Sequence, residues 1–500
     1  MSQQRIDLLK RVSFGKQVAE DEVDELTSYF VESSQWADIA NGKTDIVRGE
    51  KGAGKSAIYS LLLKRESTFF DNGILIIPAE TLRGATVFKD LVADPPTNEI
   101  EFTALWKLYI LTIIANELRE YGVGGSKANK IYGLLEEAEL LEKEFSLRGL
   151  LRSAFAYAKR IVAADAFEGG LTLDPTTLAP NGVTTKIVLR EPKRDLRDLG
   201  YITIDKIIEL TSDVLTENKL NVWILLDRLD VAFIETHELE ANALRALIRV
   251  YADLRGVDNI SLKIFLREDI WKRITIAGMR EASHLINYVI INWNSPDLLN
   301  LIIRRVLNND AFVAELGVDK QKVLEDSSLQ EKLFYRIFPD QIEQGPQKAS
   351  TFNWLITRCA DGTKKTAPRE LIHLLNCIKD REIRRLEQGG KIPADGRFFD
   401  RSVFKTALPE VSDARLNQYL YAEYPLERQF IQKMEGQKAE QTPETLSKLW
   451  DMRPEEAIKK SSRLVDLGFF EERSTSGQPS YWVPFLYRDA LKLVQGKAEG

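Results

Sequence analysis

The sequence predicts an α/β fold, a parallel sheet with crossover helices, followed by a helical lid and a C-terminal winged helix. Three observations carry this. The stretch IVRGEKGAGKSAIYS at 46–60 reads as a strand end, a glycine-rich turn and a helix start. Apolar runs at 74–77 and 222–226, and the stretch LKIFL at 262–266, read as buried strands, with helical patterns between them. From 296 onward helices dominate, and 442–484 follows the order helix, turn, helix, hairpin.

The first stretch carries the chemistry. Gly49, Gly54, Lys55 and Ser56 fit the phosphate-binding loop pattern G-x-x-x-x-G-K-[ST]. Gly49, Gly52 and Gly54 let the backbone turn its N–H groups inward at angles a side chain would forbid. The expected cradle therefore runs through Gly49, Glu50, Lys51, Gly52, Ala53, Gly54, Lys55, Ser56 and Ala57. Lys55 brings charge to the β- and γ-phosphates, Ser56 offers a hydroxyl to Mg²⁺, and the helix starting there adds the positive end of its dipole.

The other strands supply partners for that loop. NVWILLDRLD (221–230) is an apolar strand ending in Asp227, where an acid beside a phosphate loop holds Mg²⁺ through its water shell. Asp230 follows and is expected to orient the attacking water or act as general base. LKIFLREDIW (262–271) ends its strand in Arg267, placed to pair with the γ-phosphate. Arg280, or equally Arg273, is placed where an arginine finger for a neighbouring subunit would come from, although a surface arginine is the default for both. Pro368-Arg369 opens a later helix, from which Arg369 or Lys365 could reach back to the nucleotide.

Composition bounds the rest. A chain of 500 residues suggests two to four domains. The net charge of −6 and pI near 5.6 provide no global basic field for nucleic acid or anionic membrane. The cysteines, Cys359 and Cys377, show no sequence spacing for a metal and no disulfide framework, which suits a cytoplasmic setting. No signal-peptide core is visible, and LYILTIIA at 108–115 is too short to span a bilayer and is expected to be a buried helix.

Taken in order, 14–36 is a turn and helix leading to the loop, and 1–295 is expected to form the ATPase core. A long helix covers 99–120. Residues 121–200 read as an insertion of two amphipathic helices, about 127–143 and 146–164, followed by a loose segment with Pro175, Pro180 and Pro192. A helical lid spans 296–390, capped by Ser295 with Pro296 in its first turn, and GGKIPADGR at 389–397 marks a linker. Residues 400–500 form the winged-helix domain, with Thr442 capping its first helix and Gly468 stopping its second. That second helix carries Lys459, Lys460 and Arg463 but also Glu455, Glu456 and Asp466, so its charge is not one-sided as a DNA reader's would be.

Together the phosphate loop, LLDRLD, the strand ending in Arg267, Pro368-Arg369 and the winged helix resemble the AAA+/STAND class of P-loop ATPases. FGKQVAEDE, YFVESSQW, RGEKGAGKSAIY, LLDRLD and FLREDIW further resemble an uncharacterised bacterial P-loop ATPase family first annotated in cyanobacteria. The resemblance implies an ATP/ADP-dependent switch with Mg²⁺, a sensor arginine, nucleotide-driven homo-oligomer assembly or control of an effector protein, and, by analogy of class, a place in antiphage defence. Arg228 follows Asp227 where many AAA+ motors carry a catalytic glutamate, which favours slow hydrolysis. The expected function is thus a Mg²⁺-dependent ATPase acting as a switch on a partner. The alternative is an ATPase that loads on or remodels duplex DNA through its winged helix. A small-molecule kinase shares the loop but is disfavoured by the lid and winged helix.

Overall fold

The computed structural model describes residues 2–16, 21–79, 99–141, 146–168, 188–189, 202–229, 237–276, 287–475 and 478–498. Contacts divide the chain into two compact units: Ser34–Gly49 with Lys55–Ile290, and Met1–Ser33 with Glu50–Gly54 and Ile291–Gly500.

The first unit is built on a five-stranded parallel sheet. Its strands are β1 (Ile46–Gly49), β2 (Ile74–Pro78), β3 (Asn221–Leu226), β4 (Ile260–Arg267) and β5 (Tyr288–Ile290), in spatial order β2-β3-β4-β1-β5. All neighbours are parallel, so helices must cover both faces, and β1 to β4 are accordingly buried along most of their length rather than alternating. The register sets Gly49 beside Arg267 and Arg48 beside Leu266. The helices of this unit include α1 (Lys55–Lys64), α2 (Glu99–Glu120), α3 (Ile204–Glu217), α4 (His237–Leu254) and α5 (Glu268–Ile276). The apolar run 108–115 lies in α2 and is buried along its whole length, as expected of a core helix apolar all round. No helix among the described residues is long and apolar enough to cross a membrane.

Two features add detail to the sequence reading. The two helices of the 121–200 stretch are Ser126–Glu137 and Leu147–Glu168. The second buries Leu150, Leu151, Ala154 and Ala158 in the same apolar core as α2. Pro175, Pro180 and Pro192 lie outside the described residues. Within β4, Lys263 is fully buried among the apolar residues; its Nζ donates to Thr44 O at 2.8 Å and to Asp45 Oδ1 at 2.9 Å, while Tyr251 donates to Asp45 Oδ2 at 2.9 Å. Burial holds the Lys263 ammonium below its ordinary pKa, and Asp45 offsets only part of that shift.

The second unit has one continuous apolar core from Ile6 to Leu491. It contains α6 (Ser295–Leu307), α7 (Pro368–Glu387), α8 (Ser402–Asp413), α9 (Pro443–Trp450) and α10 (Pro454–Asp466). Asn294, not Ser295, caps α6: its side chain accepts from Asp297 N–H at 2.8 Å and Asp297 returns the bond, a capping box that makes Ser295 the first helical residue. Thr442 caps α9 as expected, and Gly468, at φ +73°, closes α10. The winged-helix sheet has four strands, β6 (Lys438–Gln441), β7 (Glu471–Thr475), β8 (Gln478–Trp482) and β9 (Val494–Lys497), in order β9-β6-β8-β7. The hairpin β7–β8 was legible; the flanking β6 and β9 were not.

The contacts cut the chain differently from the division 1–295, 296–390 and 400–500. The N-terminal helix Ser2–Arg11 packs on α7, and buried Arg305 of α6 grips Phe14 O at 2.8 Å and the Glu22 carboxylate at 2.8 Å. Between α7 and α8 the GGKIPADGR stretch is irregular, but Phe398 and Phe399 directly after it are buried, the latter stacked on Phe338 at 4.9 Å. The helical and winged-helix parts therefore share one core.

Candidate nucleotide site

In the sheet unit, β1 ends at Gly49 and α1 starts at Lys55, the strand-loop-helix context that a phosphate loop requires. Lys55 Nζ donates to Gly49 O at 3.0 Å. Ser56 Oγ donates to Asp227 Oδ2 at 3.0 Å. Asp227 is buried just past the tip of β3, two strands from β1 in the sheet. Thus two residues 171 positions apart, predicted from separate motifs to serve one cation, are brought into direct contact. A hydroxyl and a carboxylate are hard oxygen donors, which suits Mg²⁺. Arg228 leaves the strand at φ +57°, a left-handed conformation uncommon for a side-chain-bearing residue, and so turns the chain sharply after Asp227. Asp230 lies outside the described residues, as does Arg280.

Arg267 sits beside Gly49 by sheet register, but its guanidinium is held bidentately by Asp269, Nε to Oδ1 at 3.0 Å and Nη2 to Oδ2 at 2.9 Å. Arg273 is bridged to the buried Glu240 at 2.9 Å. The sequence reading missed one pair altogether. Arg48, inside β1, is buried and forms a bidentate pair with buried Glu268 at the start of α5, Nε to Oε2 at 3.0 Å and Nη2 to Oε1 at 2.8 Å. The guanidinium also lies 4.7 Å from the Trp271 ring and 4.8 Å from the Tyr288 ring. An arginine inside a four-residue buried strand was the available signal, since such a charge demands a partner.

The loop crest, Glu50–Gly54, groups with the second unit. Glu50 bridges Lys365 at 3.3 Å, Lys51 pairs with Glu423 and lies 4.8 Å from the Tyr419 ring, and Trp293 Nε1 donates to Ala53 O at 2.8 Å. Gly52 adopts φ +82°, a conformation that favours glycine, and a Cβ there would stand 3.0 Å from Arg369 Cβ, a tight contact. Arg369 is in the first turn of α7, behind Pro368. Lys365 and Arg369 are thus set against the crest, while Glu423, Tyr419 and Trp293 carried no signal in the sequence.

No protein-family model matches this chain, and no curated protein does. Among solved structures the chain is similar to the Aeropyrum pernix ORC2 protein in its ADPNP-ADP complexes, with 11% identity, 91% of this chain and 89% of that one covered, and a TM-score of 0.37. It is also similar to the ADP form of that protein, with 12% identity, 95% and 91% coverage and a TM-score of 0.30. The fold class rests on the chain's own topology: a parallel sheet whose β1 delivers a glycine-rich loop into α1, beside a strand ending in an acid. This is an α/β P-loop NTPase fold with a helical and winged-helix region after the sheet.

Proposed function

We propose that this chain is a Mg²⁺-dependent ATPase of AAA+ type that acts as a slow, nucleotide-controlled switch on a partner. The observation that carries the reading is the meeting of Ser56 and Asp227 at 3.0 Å beside Lys55, at the end of a strand-loop-helix with the phosphate-loop sequence. In this reading the amides of 50–57 cradle the phosphates and Lys55 neutralises the β- and γ-phosphates. Ser56 and Asp227 would hold Mg²⁺, which supplies further charge neutralisation when bound. Asp230 orients the attacking water, Arg267 answers to the γ-phosphate by exchanging its Asp269 partner, and Arg369 reports nucleotide state from the start of α7. Arg228 stands where a fast motor would carry its catalytic acid, which favours slow turnover.

The partner we favour is protein rather than duplex DNA. Three cations of the winged helix have partners within the chain, while Lys459 is exposed: Lys460 lies 4.4 Å from the Phe430 ring, Arg463 is 3.7 Å from Glu427, and Arg453 pairs with Glu456 at 2.6 Å. A phosphate-reading helix would present such charges together. The test is the ATPase rate of purified protein with and without duplex DNA, with Lys55→Ala as blank. A slow rate indifferent to DNA supports the switch; strong stimulation by DNA would put the DNA-remodelling alternative first.

A further inference from the structure

We infer that helices α7 and α8 hold a transition-metal ion of the zinc class between His373, Cys377 and Glu410. The three side chains lie in the second unit, and none of them is itself assigned to the nucleotide, although Arg369 stands one turn before His373 on α7. His373 and Cys377 are one turn apart on α7, a spacing that puts both on one helix face. Glu410 comes from α8, which packs along α7. A ring nitrogen, the thiol sulfur and a carboxylate oxygen all lie within 4.8 Å of one another. Tetrahedral zinc sets nitrogen and sulfur ligands about 3.5 Å apart, so a rotamer-scale closure completes the set.

Ordinary packing does not account for this grouping. The neighbours of these residues on α7, Leu374, Leu375 and Ile378, are buried and apolar, as a helix seam should be. The Cys377 thiol hydrogen-bonds to the exposed Glu410 carboxylate, which leaves the half-buried His373 imidazole as the group in need of a compensating partner. Cys377 is buried, His373 is half-buried, and neither nitrogen of the His373 ring makes a hydrogen bond to another described residue. Arg381, on the same helix as His373 and Cys377, pairs with Glu410 Oε2 at 3.4 Å.

The donor set selects the metal. A thiolate and an imidazole favour zinc and its neighbours over Mg²⁺ or Ca²⁺, which take oxygen ligands, so this site does not compete for the nucleotide's cation. Three protein ligands leave a fourth position for water. Binding releases the Cys377 thiol proton to solvent as the sulfur–metal bond forms. The ion staples α7, which carries Arg369 in its first turn, to α8.

The test uses the full chain, stripped with a strong chelator and then titrated with Zn²⁺ against a chromophoric competitor, and with Co²⁺ followed by absorbance. The expected result is about one Zn²⁺ per chain and a thiolate-to-cobalt charge-transfer band. Cys377→Ser should abolish the band, Cys377→Ser and His373→Ala should each weaken Zn²⁺ binding by at least about tenfold, and Cys359→Ser should change neither. Circular dichroism of each variant separates lost binding from lost folding, and His373→Ala, at a half-buried position, serves if Cys377→Ser does not fold. No stoichiometric uptake by the wild type, or equal uptake by the folded His373→Ala variant, would overturn the inference.

Discussion

The Arg48–Glu268 pair offers the sharpest structural test because its cost can be worked from geometry. Both side chains are 9% exposed and joined by two short charge-assisted bonds. Arg48→Met keeps an apolar stem against Trp271 and Tyr288 but leaves the Glu268 carboxylate buried without its cation. Breaking a buried pair from one side costs about 3–5 kcal/mol, because the desolvated partner remains. Replacing both members, as Arg48→Met with Glu268→Leu, removes the stranded charge and should recover most of that loss. Hydrogen exchange of the β1 peptide reads the effect locally, with winged-helix peptides of the same sample as internal control. At about 1.4 kcal/mol per factor of ten, protection in β1 should fall by roughly a hundredfold to a few thousandfold in Arg48→Met. It should return to within about tenfold of wild type in the double variant, a difference of about 1.4 kcal/mol. A fall smaller than about fivefold in the single variant, equivalent to less than about 1 kcal/mol, would refute the reasoning, as would a double variant no better protected than the single.

Three further outcomes are expected. Gly52→Ala forces a side chain into φ +82° and against Arg369 Cβ; at about 1–2 kcal/mol for the left-handed conformation, nucleotide affinity should drop by roughly five- to thirtyfold, and an unchanged affinity by calorimetry would count against the loop geometry. Asp230→Ala should leave ATP binding intact and lower single-turnover hydrolysis; unchanged turnover would make Asp230 structural. Burial, and then the charges of Glu120 and Glu66, push the Glu117 carboxyl on α2 up from its ordinary 4.5 to about 7. The unfolded chain gives up this proton at lower pH than the folded one, so the group's stabilising contribution is whole below about 4.5 and is lost as pH rises to about 7. Glu117→Gln should therefore flatten the stability–pH curve across that window and gain on wild type most above it; parallel denaturation curves at pH 5 and pH 8 would contradict this.

Much of this fold was legible because its signals are local. Apolar runs marked β2 and β3, the mainly apolar LKIFL marked β4, the glycine spacing marked the loop, and Pro368 and Thr442 marked helix starts. What escaped depends on partners distant in sequence. Lys263 sits in an apolar strand only because Asp45 and Thr44 meet it, and Arg48 only because Glu268 does. β6 and β9 are short and polar, KAEQ and VQGK, and become strands through pairing, β6 with both β8 and β9 and β9 with β6. GGKIPADGR has the composition of a linker, but the Phe398 and Phe399 that follow it tie both sides into one core. For the site, the motif supplied Lys55, Ser56 and Asp227, while Glu423, Tyr419 and Trp293 could be found only in three dimensions.

The central claim is that the loop at 49–57 binds ATP. Isothermal titration of wild type and Lys55→Ala with ATP, with and without Mg²⁺, tests it most directly. The account predicts about one ATP bound per wild-type chain, tighter with Mg²⁺, and binding weakened by at least about a hundredfold, or some 2.7 kcal/mol, in a folded Lys55→Ala variant. No heat of binding in the folded wild type, or equal affinity in the two proteins, would contradict it.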